Sequence, residues 1–244
     1  MSNLTDLYEK IAKCDACRLC KQRKRVVPGE GREDADIMFI GEAPGWHEDQ
    51  QGRPFVGPAG QFLDELLQSI GLKRSEVYIA NVVKCRPPSN RDPLPDEIGA
   101  CRKWLDRQME LINPKMIVTL GRYSMARFFP GATISKVHGT VRTNEGVTYF
   151  AMYHPAAALH QGSLRGVIME DMLKIPSFLT QTEAVPEESK LQNAKKAEKT
   201  EKIEKVEKGA RTEKPGKTEK VQKVEKAGKV ENIEKAEPKQ LSMF

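Results

Sequence analysis

The stretch Asp36-Ile37-Met38-Phe39-Ile40-Gly41-Glu42-Ala43-Pro44-Gly45 decides the fold. Its apolar run does not alternate with polar residues, the pattern of a strand buried on both faces of a parallel sheet. The Gly-Glu-Ala-Pro-Gly that follows breaks the strand, because Pro44 has no N–H for a ladder and the glycines favour a turn. The same design recurs twice. Val77-Tyr78-Ile79-Ala80 leads into Asn81, and Tyr149-Phe150-Ala151-Met152-Tyr153 leads into His154-Pro155. In an open parallel sheet, ligands bind in the crevice beyond the carboxyl ends of the strands. Glu42, Asn81 and His154 are therefore expected around one pocket, with Phe55 nearby. A carboxylate, an amide, an imidazole and an aromatic ring together suit a flat, hydrogen-bonding heterocycle.

The intervening segments read as helices. Leu4, Leu7, Ile11 and Ala12 predict a short amphipathic helix over 3–13. Phe62, Leu63, Leu66, Leu67 and Ile70 mark a second, with Gly71 as its C-terminal stop. Pro87, Pro88, Pro93 and Pro95 keep the next segment irregular as far as Asp96, which is expected to cap a helix carrying Ile98, Cys101, Trp104, Leu105 and Leu111. Met116 to Leu120 is a further buried strand, followed by a helix around 124–129. Ser163 is expected to cap a last helix ending near 175. Strands alternating with helices predict an α/β fold: three layers, α/β/α, around a central four-stranded parallel sheet.

Composition changes after Thr182. An imperfect Glu-Lys-aliphatic repeat without an aromatic residue runs from Thr200 to Lys239, and residues 183–239 are expected to be a disordered tether because such a segment cannot bury enough surface to offset ordering entropy. That segment holds 16 Lys+Arg against 13 Glu, or +3 of the chain's +6, so net charge points only weakly to a polyanionic partner. The expected organisation is a folded domain over 1–182, the tether, and a short peptide at 240–244. No apolar run approaches the about 20 residues that span a bilayer, and the N-terminus opens polar, so no membrane association and an intracellular, cytoplasmic location are expected.

All five cysteines lie in the first 101 residues. In a reducing compartment, clustered cysteines point to metal rather than disulfides. Cys14 and Cys17 form one pair; Cys85 and Cys101 form another, more widely spaced. Four thiolates suit tetrahedral zinc or an iron–sulfur cluster, and the wide second spacing suits the larger group. Cys20 is the spare.

Gly41-Glu42-Ala43-Pro44-Gly45, with Glu48-Asp49 and Gly52-Arg53-Pro54-Phe55-Val56-Gly57, resembles the first motif of family 4 uracil-DNA glycosylases. Asn81-Val82-Val83-Lys84-Cys85-Arg86-Pro87-Pro88 and His154-Pro155-Ala156-Ala157 resemble that family's later motifs. The resemblance covers about residues 2–180. It implies a monomeric enzyme that hydrolyses the bond between deoxyribose and uracil in DNA, with Cys14, Cys17, Cys85 and Cys101 holding a [4Fe-4S] cluster. Relatives that trap DNA covalently carry an inserted loop ending in histidine after the second strand; the segment from Cys85 to Cys101 has neither, which favours turnover. The first-described uracil glycosylases carry a catalytic Asp where Ala43 stands.

The resemblance also assigns roles. Phe55 stacks on a base flipped out of the helix. Asn81 pairs with uracil N3–H and O4, a pattern that cytosine inverts. His154 donates to O2 as the base departs. Glu42 positions water or opposes positive charge on the sugar, with Glu48 and Asp49 nearby alternatives and Glu48 also set against the methyl group of thymine. Leu159 is the candidate wedge in the vacated stack. Arg53, Arg86, Arg91, His160 and Arg165 are candidates for phosphate contacts. Gln240-Leu241-Ser242-Met243-Phe244 resembles the short peptide by which repair proteins bind a sliding clamp. The competing readings are a non-catalytic or covalently trapping nucleic-acid-binding iron–sulfur protein and a zinc hydrolase; the absence of a His-rich ligand set argues against the last.

Overall fold

The computed structural model describes residues 3–183, with side chains to 179. Apart from Glu183, the expected tether and the 240–244 peptide lie outside those residues. In chain order the elements are α1 (Leu4–Ala12), β1 (Glu30–Gly31), β2 (Ile37–Gly41), α2 (Trp46–Gln51), α3 (Pro58–Ser69), β3 (Tyr78–Asn81), α4 (Pro95–Ile112), β4 (Met116–Leu120), α5 (Arg122–Phe128), α6 (Ile134–Val137), β5 (Val141–Asn144), β6 (Val147–Met152), α7 (Pro155–His160) and α8 (Leu164–Glu183).

The sheet has six strands in the order β1-β3-β2-β4-β6-β5. Its centre, β3-β2-β4-β6, is the expected parallel quartet. The expected four-strand count is corrected by two antiparallel edge strands. β5 is exposed along its whole length and pairs only with β6, so it lacks the apolar pattern that betrays a strand. β1 is two residues long.

Alternate residues of β2 divide the core. Ile37 and Phe39 pack with α3 and α8 residues such as Leu63, Leu66, Ile168 and Met172 on one face. Met38 and Ile40 pack with Leu7, Ile11, Leu105 and Ile112 of α1 and α4 on the other. Burial on both faces is what removed polar residues from these strands.

Two helix ends differ from expectation. Leu94, not Asp96, is the N-cap of α4, and Glu97 reaches back to accept from Leu94 N at 2.8 Å. α8 runs on past Ile175 through Pro176 to Glu183. Proline removes one helical hydrogen bond, but Ile175 is fully buried and Phe178 stacks near Phe150, so packing on the sheet holds the helix across it. No helix among the described residues is long and apolar enough to cross a membrane.

Candidate active site and cysteine cavity

The register β2–β3 pairs Gly41 with Asn81, and β4–β6 pairs Leu120 with Met152, so all the motif residues emerge at one edge of the sheet. There they line one pocket, which Glu42, Glu48, Phe55, Asn81 and His154 share. The pocket also takes in Arg91 and Asp92 from the loop after β3, Arg122 from α5, and His160 from α7.

Asn81 is 2% exposed, and its Oδ1 has no hydrogen-bond partner. A buried acceptor left unmatched costs about 1–3 kcal/mol, so at a pocket wall it fits an external donor. Its backbone is fixed from behind. Lys84 Nζ, fully buried, donates to Asn81 O at 2.8 Å and to Gln108 Oε1 at 2.6 Å. Gln108 Nε2 in turn donates to Tyr78 Oη at 2.8 Å and Pro28 O at 2.7 Å. In front, Gly41 leaves room for nothing larger: a Cβ there would lie 2.5 Å from Asn81 Oδ1 and 2.6 Å from Phe55 Cζ.

Phe55 adopts φ +51°, a left-handed conformation that strains a bulky residue by about 1–3 kcal/mol. Its neighbours hold it there. Arg74 donates to Phe55 O at 3.0 Å and to Pro54 O. Glu48 accepts from Val56 N and Gly57 N, each at 2.9 Å, and from Gly45 N at 3.0 Å. Gly60 packs so closely beneath Phe55 O that a Cβ would collide with it. The Phe55 ring faces the His154 ring with centroids 5.4 Å apart and planes 26° apart.

His154 is the N-cap of α7, and its Nδ1 accepts from Ala156 N at 3.1 Å. That contact places the neutral ring's proton on Nε2. Burial pushes the imidazole down to about 4, against an opposing pull from Glu48, so it is neutral at physiological pH. Glu42 is pushed up to about 7, mainly by burial and further by Asp92, with Arg122 acting in the opposite sense. Arg122 and Asp92 are themselves ion-paired.

The remaining expected residues sort as follows. Glu48 lines the pocket, but its carboxylate binds three backbone N–H groups, which makes it the organiser of the Phe55 loop. Asp49 is buried and accepts from Lys24 N at 2.9 Å, so it fastens a distant connection rather than facing the pocket. Leu159 is half exposed on α7, beside pocket residues Ala157 and His160. Arg91 and His160 line the pocket, whereas Arg53 pairs with Glu30 and Arg165 with Glu65. Sequence reading missed Arg122, Lys84, Gln108 and Arg74; each acts through partners remote in the chain, which spacing does not encode.

On the α1–α4 side, Cys14, Cys17, Cys20, Cys85 and Cys101 line a second cavity with Arg23, Lys84 and Trp104. Three N–H groups point at sulfur: Arg23 Nη1 at Cys85, Trp104 Nε1 at Cys14, both 3.2 Å, and Lys84 N at Cys101, 3.3 Å. Such donors suit thiolates. Burial pushes the Cys101 thiol up to about 11 and raises Cys85 and Cys17, so binding a metal group there releases protons. Among the described residues, no three His, Cys, Asp or Glu side chains converge on a single metal-ion position. Cys20, read as a spare, belongs to the cavity wall.

Comparison with known proteins agrees with the geometry. The sequence profile of the Uracil DNA glycosylase superfamily matches residues 28–173. A type-4 uracil-DNA glycosylase of Sulfurisphaera tokodaii is 48% identical over 185 residues, 72% of this chain and 84% of that protein. One from Thermotoga maritima is 46% identical over 176 residues, 70% of this chain and 92% of that protein. A type-5 enzyme of Pyrobaculum aerophilum is 33% identical over 150 residues, 54% and 66% of the two chains.

Proposed function

Because this chain belongs to the uracil DNA glycosylase superfamily and matches type-4 members over most of their length, we propose that it releases uracil from DNA by hydrolysing the N-glycosidic bond, leaving an abasic site for base excision repair. The observation that carries the substrate assignment is the unpartnered, buried Oδ1 of Asn81 in a pocket shared with Phe55 and His154. Uracil presents N3–H to that oxygen and O4 to the amide N–H; cytosine presents an acceptor and a donor in the reverse order. The flipped ring lies against Phe55, whose strained backbone is fixed before substrate arrives.

As the C1′–N1 bond breaks, the electron pair goes to uracil and charge accumulates at O2. His154 Nε2–H donates to O2. A neutral imidazole with its proton on Nε2 is suited to this, since its N–H stabilises the developing anion by a hydrogen bond without proton transfer. Glu42 takes a proton from the water that attacks C1′; a carboxyl pushed to about 7 is matched to a base working near neutrality. Glu48 works indirectly, by holding the loop that presents Phe55. Leu159, at the rim, fills the space the base vacates.

Cys14, Cys17, Cys85 and Cys101 would hold a [4Fe-4S] cluster. Hydrolysis needs no electron transfer, so the group's contribution is structural: it ties the segment after α1 to the loop after β3 and to α4. Arg23 and Lys84 supply positive charge beside the thiolates. The 240–244 peptide serves as a sliding-clamp ligand.

Incubation with excess single-stranded DNA containing one deoxyuridine tests the reading. Free uracil accumulating over many turnovers supports it. A stoichiometric protein–DNA adduct, or intact DNA, rejects it.

A further inference from the structure

Trp46 is 52% exposed, one of few large apolar side chains among the described residues that solvent reaches so fully. It is the first residue of α2 and directly follows Gly45, which lines the pocket. The indole is not loose: the His47 ring meets it edge-on at 5.0 Å and 88°. Arg91 and Arg122 line the same pocket, where they are ion-paired with Glu97 and Asp92. Leu159 of α7, next in the chain to the pocket residue His160, is likewise half exposed. An exposed aromatic adjoining a substrate pocket is suited to stacking a base of single-stranded nucleic acid.

Building on the proposed uracil release, we infer that Trp46 is a base-stacking platform: its indole takes the base next to the flipped uracil in single-stranded DNA. A single strand offers unstacked bases, whereas in a duplex the neighbouring bases are occupied with one another. Stacking reads no sequence, because every base has a π face, so the platform adds affinity without narrowing the context in which uracil is found. Trp46 thereby favours single-stranded over paired substrate.

The full chain contains two tryptophans, which makes a direct test practical. Trp104 donates to Cys14 Sγ in the cysteine cavity, so W46F isolates its emission and the difference from wild type reports Trp46. The probe is a single-stranded oligonucleotide carrying 2′-fluoro-2′-deoxyuridine, whose electron-withdrawing substituent slows cleavage. Wild-type emission is expected to be quenched at saturation, with the quench lost in W46F. W46A is expected to raise KM on single-stranded substrate roughly ten-fold, with a smaller effect on duplex and partial recovery in W46F. Unchanged emission at saturating DNA, or wild-type KM in W46A while wild type releases uracil, overturns this inference and leaves the proposed reaction standing. A wild-type protein that neither binds the probe nor releases uracil overturns both.

Discussion

Replacing Gly41 by alanine tests how tightly the recognition groups are set. The added Cβ would sit 2.5 Å from Asn81 Oδ1 and 2.6 and 2.7 Å from two carbons of the Phe55 ring, where ordinary contact begins at 3.4 Å. The amide and the ring must therefore each retreat by about 0.8 Å. Neither can do so freely, since Phe55 is clamped by Arg74 and the Glu48-bound loop, and the Asn81 side chain is buried on a backbone held by Lys84. A misplacement near 1 Å costs about 10²-fold in rate, and overpacking a rigid site costs about 1–3 kcal/mol. Gly41→Ala is thus expected to lower kcat/KM for uracil release about 100-fold and Tm by roughly 2–12 °C. Gly99→Ala is the control: Gly99 lies within α4 with open space around it, so activity should hold and the helix gain about 1 kcal/mol. Wild-type kcat/KM and Tm in Gly41→Ala would refute the claim that Asn81 and Phe55 are packed against one another as recognition groups.

Three further outcomes follow from the same site. The pH profile of kcat/KM should have an acid limb near 7, because Glu42 must be ionised to take a proton; Asp92→Asn removes a like charge and should move that limb to lower pH, whereas His154, neutral above about 4, adds no limb at neutral pH. Absorbance near 400 nm should vanish in Cys85→Ala and Cys101→Ala but survive in Cys20→Ala; loss in the last alone would transfer a ligand role to Cys20. Removing residues 240–244 should abolish binding to a sliding clamp in a pull-down while leaving uracil release on short oligonucleotides intact.

Much of this was legible in the chain. Ile37–Ile40 betrays itself because burial on both faces leaves it no polar residue, Met116–Leu120 keeps only Thr119, and the crossover rule then places Glu42, Asn81 and His154 at one edge. Val141–Asn144 was invisible for the opposite reason: an exposed edge strand carries no apolar pattern, and only the β5–β6 pairing makes it a strand. Pro176 reads as a stop in isolation; the burial of Ile175 behind it is a tertiary fact. Nor can sequence distinguish a solvated glutamate from Glu48, whose oxygens face amides eight and nine residues away. Nothing in the sequence marks Lys84 as interior, yet it is fully buried, joining Gln108 to the backbone of Asn81.

A crystal structure with free uracil in the pocket tests the central claim most directly. The account predicts uracil N3 within about 2.7–3.2 Å of Asn81 Oδ1, the ring lying against Phe55, and O2 facing His154 Nε2. Uracil bound elsewhere, or bound here with Asn81 Oδ1 still unpaired, would contradict it.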